Sequence, residues 1–420
     1  MPPSVCFILG ELGPSGGAGA VVRHARGLAQ DHGYDVSIAL WPGGSPEAAA
    51  PAGVELVTID EARGREHDIA IATWWRTAYD LFSVPARRHA CFVQQFEERI
   101  YRPGDPERFG ATVTHDLPVA FVTEAAWIAE QLADLRPDAA CFHVPNGVDK
   151  QRFVPDGRSQ ADGPLRVLVE GSPGLWFKGV EDAAAALERT RERVETTLVT
   201  PEQVDPDLCA RFDRVAGPLD HAAMAAAYRE ADVLLKLSRV EGVFTPPLEA
   251  FHCGTPCVVW PVTGHDEYVR HGVNGAVVHF DDLAGTAGWI DLLARDRALL
   301  ADLARGALET AADWPSWDRS TAAFEAALRE IADAPGPASG AGAARLLADL
   351  DAAMEEQRAA LWRERHAAES ARAWRDATQQ ELARAEATIV AFEQSRTWRY
   401  AAPLRRVGGR LRRLRARRSR

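Results

Sequence analysis

The sequence predicts an α/β protein built of two parallel-sheet halves, and three observations carry that expectation. Short apolar runs alternate with helical patterns. This rhythm breaks at the Pro/Gly/Asp-rich stretch Pro155–Pro164 and then restarts. The 420 residues suffice for two or three domains, each with its own core.

In the first half, Val5–Leu9, Val36–Leu40, Ile69–Ala72, Ala90–Val93, Val119–Val122 and Phe142–Val144 read as strands. In the second half the strands are Leu165–Val169, Thr197–Val199, Val233–Leu237, Pro256–Val259 and Ala276–Val278. Two Rossmann-like domains, 1–160 and 161–333, are expected, with ligands in the crevice beyond the carboxyl ends of the strands. A Gly/Pro-rich linker over 334–342 follows. Residues 343–393, rich in Ala, Glu, Arg and Gln with no Gly or Pro, read as one long helix. A seven-residue spacing through Leu347, Met354, Leu361, Ala368, Arg375, Leu382 and Ile389 admits a homodimeric coiled coil through 343–392. The partner row Gln357, Glu364 and Thr378 is polar, so a solvated spacer helix fits equally well.

Apolar residues at 46% and charged residues at 26% are ordinary for a globular protein and exclude a disordered or collagen-like chain. The formal charge of −12 conceals an asymmetry: 404–420 contain nine arginines and no acid, which leaves −21 on 1–403. So acidic a body argues against nucleic-acid binding. Six scattered cysteines without a C-x-x-C pair read as reduced thiols in a cytoplasmic protein, and no metal site is expected. The N-terminus lacks a basic start and a long apolar stretch, so it reads as a first strand rather than a signal peptide. No apolar run reaches the ~20 residues that span a bilayer, so any membrane attachment is expected to be peripheral.

Chemistry concentrates in Ser238-Arg-Val-Glu241-Gly-Val-Phe-Thr-Pro-Pro-Leu-Glu249-Ala-Phe-His-Cys-Gly254-Thr-Pro256. Glu241 falls in the loop after a buried strand and Glu249 early in the next helix, so both can face the ligand crevice. A carboxylate accepts hydrogen bonds from two vicinal hydroxyls, which suits a sugar ring; a surface acid and a helix-start acid are the plainer alternatives.

This stretch resembles the signature of glycosyltransferase family 4, with its Glu-x7-Glu pair and following Gly-Thr-Pro turn. Three further segments are similar to the family: Thr263-Gly264-His-Asp-Glu267 with His271-Gly-Val-Asn-Gly275, the crossover Val144-Pro-Asn146-Gly147-Val148-Asp149, and the glycine loop Gly16-Gly17. The resemblance covers about 4–333. It implies a retaining, metal-independent hexosyltransferase of the two-domain GT-B type that needs no cofactor beyond its nucleotide-diphosphate-sugar donor. By the same resemblance Glu249 holds the donor ribose and Glu241 the transferred sugar. Amides near Phe244, Thr245, Thr263 and Gly264, with Gly16 and Gly17, meet the donor. Lys178 matches the phosphate-binding lysine; a solvated loop lysine is the alternative.

Two departures stand out. Ser172 replaces the family's usual arginine, so Lys178 acts alone or Arg239 substitutes. In place of a His-Asp pair the chain has Cys91-Phe-Val-Gln94-Gln95-Phe96-Glu97, similar to rhamnosyltransferase-like members of surface-polysaccharide synthesis. Gln95 and Glu97 are therefore candidate acceptor contacts. His115, beside Asp116, reads instead as a helix-start or surface residue. Trp74 and Trp75 are candidates to stack on an acceptor sugar or to pack internally.

The tail 394–420 combines Trp398, Tyr400, spaced leucines and dense arginine, the pattern of an interfacial anchor on an anionic membrane or of a polyanion-binding tail. The leading expectation is a glycosyltransferase acting on a glycan or lipid-linked acceptor at the inner face of the cell membrane. A GT-B epimerase or phosphorylase fits the motifs less well. From another class, a catalytically silent scaffold is the alternative.

Overall fold

The structure is a computed structural model that describes residues 2–13, 16–41, 50–157, 163–334 and 340–394. The tail from 395 onward, and most of the linker, lie outside the described residues.

The first sheet has seven strands: β1 (Ser4–Leu9), β2 (Asp35–Leu40), β3 (Val54–Thr58), β4 (His67–Ala72), β5 (Ala86–Val93), β6 (Ala120–Thr123) and β7 (Cys141–His143). They are ordered β3-β2-β1-β4-β5-β6-β7, and every pair is parallel. The second sheet holds β8 (Leu165–Glu170), β9 (Val194–Val199), β10 (Arg214–Ala216), β11 (Val233–Lys236), β12 (Cys257–Val259) and β13 (Gly275–Val277). Its order, β10-β9-β8-β11-β12-β13, is again all parallel. Each sheet is wound outward from its first strand in one direction and then in the other. The switch points lie between β1 and β4 and between β8 and β11, where open α/β sheets leave a ligand crevice.

Apolar strands covered on both faces explain this architecture: β1 and β11 are buried almost throughout. Two strands escape the sequence pattern, β3 and β10. Both are edge strands with mixed polarity, Val-Glu-Leu-Val-Thr and Arg-Val-Ala, half-covered or exposed.

The second domain does not extend to residue 333 as the sequence suggests. Helix Trp317–Asp333 crosses back and packs on the first sheet, where Phe324 joins the core of Phe7, Val21 and Phe92. Its ring lies 6.0 Å from Phe7 and 5.4 Å from Phe92. Burial of this apolar face outweighs proximity in sequence. Two chain crossings therefore join the domains, and they touch: Val148 N–H donates to Pro315 O and Trp314 Nε1 to Asn146 O at 2.8 Å. Gly147 allows the contact, since a Cβ there would stand 2.4 Å from Trp317 N.

The long helix runs Ala341–Gln394. Its start belongs to the main body, with Leu347 fully buried and Asp351 paired to Arg76 at 3.5 Å. Residues 352–394 form a separate helical unit in which Trp362 stacks on His366. Among the described residues no helix is long and apolar enough to cross a membrane.

Candidate active site at the second switch point

Strands β8 and β11 are paired at the switch point, with Val169 opposite Leu235. From β8 the chain passes Gly171 and Ser172, makes a tight turn over Trp176–Lys178 and enters helix Val180–Leu187. Gly179 permits this path: its φ is +67°, and a Cβ there would lie 1.9 Å from the Leu237 carbonyl oxygen. The turn is thereby pressed against the end of β11, and Lys178 arrives beside the loop that carries Glu241.

Lys178 Nζ donates to both carboxylate oxygens of Glu241, each at 2.9 Å. Burial opposes charge on both groups, but the pairing outweighs it. The Lys178 ammonium is held above its ordinary value, and Lys178 together with Lys236 holds the Glu241 carboxyl below its own. Lys236, 1% exposed, donates to Glu170 Oε2 at 2.6 Å and to Glu170 O at 2.9 Å. The crevice floor thus alternates in sign.

Helix Thr245–His252 opens from Phe244 in the left-handed region (φ 44°), and Phe244 makes no side-chain cap. Pro246 and Pro247 carry no N–H, so Thr245 is the only amide donor among the first three helical positions. The helix start therefore offers an anion the Phe244 and Thr245 amides rather than a full helical turn. Glu249 sits further along the same helix, 3.5 Å from the Tyr228 hydroxyl. Burial and then the charge of Glu170 push its carboxyl up to about 8.

The third segment closes over the loop. Thr263 Oγ1 donates to Glu241 O at 3.1 Å and accepts from Arg99 Nη1 at 3.0 Å. Gly264 (φ +83°) passes so close to Gly242 that a Cβ would lie 2.4 Å from its carbonyl oxygen.

From the first domain, Gly16 opens helix Gly16–Asp31, and Gly17 lies under Gln94: a Cβ there would stand 2.8 Å from Gln94 Oε1. That oxygen is buried without a hydrogen-bond partner among the described residues. Trp176 Nε1 donates across the cleft to Ile100 O at 3.1 Å.

Lys178, Thr263 and Gly264 therefore meet at the Glu241–Gly242 loop, and Phe244, Thr245 and Glu249 follow on the helix that this loop leads into. Arg239 is not available to replace the missing arginine. It is paired with Asp182 and Asp281 and laid over the Trp260 ring.

The acceptor candidates divide. Trp75 is corrected to a packing residue: it is 3% exposed, and its Nε1 donates to the Tyr101 hydroxyl at 3.0 Å. Glu97 is turned inward to accept the Trp75 N–H at 2.7 Å, and burial pushes its carboxyl up to about 8. Its oxygen is engaged by backbone rather than offered to an acceptor. All four candidates, with Cys91 and His115, line one small cavity, where Trp74 and Gln95 are half-buried. His115 is buried rather than superficial, 3.2 Å from Glu98 and packed edge-on against Phe96.

Glu124, Trp127, Arg99, Glu170 and Trp176 were not singled out in the sequence. Glu124 and Glu170 directly follow or end parallel strands, β6 and β8, and that position was the available signal.

Two doubly wound parallel α/β domains joined by two chain crossings define the GT-B architecture. Residues 166–296 match the family model described as glycosyl transferases group 1. A D-inositol 3-phosphate glycosyltransferase of Geodermatophilus obscurus is 30% identical over 312 residues, 64% of this chain and 68% of that protein. Its namesake in Xylanimonas cellulosilytica is 31% identical over 297 residues, 61% of this chain and 70% of that protein. The chain belongs to the glycosyl transferase group 1 family and is a glycosyltransferase. Among solved structures, Anabaena HepE in complex with UDP and glucose shares the fold, with a TM-score of 0.63 at 15% identity over 78% of this chain and 100% of that one.

Proposed function

We propose that the protein transfers a hexose from a nucleoside-diphosphate sugar to a hydroxyl of a cell-envelope glycan or glycolipid, with retention of configuration and without a metal. The observation that carries this reading is the two-pronged contact of Lys178 with Glu241, in a loop whose Glu241 carbonyl accepts from Thr263.

In this reading the diphosphate lies on the Phe244–Thr245 and Thr263–Gly264 backbone, and Lys178 bridges it to Glu241. Glu249 meets the ribose hydroxyls, and its neutral carboxyl both donates and accepts. Glu241 accepts from hydroxyls of the transferred sugar. The bond from the anomeric carbon to the phosphate oxygen breaks with its electron pair going to the phosphate, where Lys178 balances the growing charge. The acceptor hydroxyl attacks from the same face, and its proton passes to the leaving phosphate oxygen. Gln95 and Trp74 are the residues this reading assigns to the acceptor. HepE's complex with UDP and glucose supports this donor class, and the inositol-phosphate relatives support a polyol or glycolipid acceptor. The arginine-rich sequence of 394–420 supports attachment to an anionic membrane surface.

The test is turnover of UDP-, GDP- and dTDP-sugars, followed as nucleotide release with and without polyprenyl- or inositol-linked acceptors. Transfer by the wild type and its loss in Lys178→Ala and Glu241→Ala is expected. Equal turnover in both variants overturns the assignment.

A further inference from the structure

Glu124 follows β6 in the first domain and is 6% exposed. Its Oε2 accepts from Asn146 Nδ2 at 2.6 Å, and its Oε1 lies against Gly242, 3.3 Å from where a Cβ would stand. Trp127, three residues on, donates through Nε1 to Gly242 O at 2.9 Å. Gly242 C=O opens the Gly242–Val243 peptide unit, so the first domain holds that peptide by the Trp127 hydrogen bond and by the close packing of Glu124 against Gly242. That peptide directly follows Glu241 and directly precedes the Phe244–Thr245 amides.

The approach is close. A Cβ on Gly242 would lie 1.9 Å from Gln94 O and 3.3 Å from Glu124 Oε1, so the residue after Glu241 must be glycine for the domains to meet here. Asn146, which holds the other side of Glu124, lies in the first interdomain crossing, and its own carbonyl accepts from Trp314 in the second at 2.8 Å. The grip is thus tied to both chain crossings.

We propose that Glu124 is a positioning residue for transfer, which with Trp127 fixes the Gly242–Val243 peptide and so sets Glu241 and the adjacent amides in register when the domains are closed. The proposal rests on the donor-loop reading given above. A free peptide plane would rotate and carry Glu241 and the Thr245 amide out of alignment together, a loss felt in the reaction step more than in nucleotide affinity. Burial pushes the Glu124 carboxyl up to about 8, with Asn146 and Val243 opposing and Glu267 and Glu241 adding to the rise. A neutral acid still accepts through its carbonyl oxygen.

The experiment compares full-length wild type, Glu124→Ala, Glu124→Gln and Trp127→Phe. Amide exchange in the 240–248 segment is read by mass spectrometry, binding with UDP and GDP, and kcat and KM with UDP-glucose and GDP-mannose. In Glu124→Ala and Trp127→Phe, exchange at 240–248 is expected to rise about tenfold while β8 and β11 keep their protection. Nucleoside-diphosphate affinity should stay within about threefold and kcat fall about tenfold or more. Glu124→Gln, which keeps one accepting oxygen, should fall between. Unchanged exchange at 240–248, unchanged kcat, or loosening spread evenly over all segments overturns the proposal. Absence of any wild-type turnover would defeat the transferase reading instead, and the exchange result would still decide the grip.

Discussion

Lys178 Nζ stands 2.9 Å from both carboxylate oxygens of Glu241, although the two side chains come from loops that leave different strands of the second sheet. The pair is mostly covered, with side-chain exposures of 25% and 10%. Neither residue can be removed without leaving its partner's charge under-compensated.

Lys178→Ala therefore costs stability as well as activity. About 3 kcal/mol is expected from a broken buried pair, and about a hundredfold or more in turnover from the lost counter-charge. Urea unfolding and steady-state rates measure the two losses. Lys178→Met with Glu241→Met should regain most of the stability and none of the turnover.

The Glu249 carboxyl gives a pH signature. Burial and Glu170 raise it from the ordinary 4.5 to about 8 in the folded protein. Between those values the unfolded chain releases a proton that the folded chain keeps, so stability falls as pH rises through this window. Glu249→Gln removes this term. Melting curves should show the variant gaining on the wild type from pH 5 to pH 8.5, with little difference at pH 5, where the wild-type carboxyl carries no penalty.

Gly179 has both a left-handed φ of +67° and no room for a Cβ. Gly179→Ala should destabilise by about 2 kcal/mol or more and displace Lys178. A denaturant midpoint lowered as expected, with turnover reduced in the folded fraction, would separate this effect from simple unfolding.

Deleting 394–420 should abolish sedimentation with anionic vesicles and leave binding to neutral ones unchanged, since each arginine near an anionic surface is worth about 1 kcal/mol. Soluble-donor turnover should not change.

Much of this was legible along the chain. The inner strands are continuous apolar runs and announce themselves, whereas β3 and β10 do not, because an edge strand needs only one covered face. The positions of Lys178–Gly179, Glu241 and Glu249 after strands and at a helix start follow from local pattern alone. Helix Trp317–Asp333 was misassigned because its partner surface, Phe7 and Phe92, is distant in sequence. The same reason hides the contact on the Glu241–Val243 loop: Trp127 and Gly242 are 115 residues apart, and nothing near either one signals the other. Trp75 and Glu97 had the residue types of a sugar site, but their burial and mutual hydrogen bond depend on packing that residue type does not encode.

Calorimetric titration of wild type and Lys178→Ala with UDP, GDP and dTDP tests the central claim most directly. One nucleoside diphosphate should bind the wild type at a single site and bind the variant at least about tenfold more weakly. Equal affinity in the two proteins, or binding of none of the three, would contradict a diphosphate seated on Lys178.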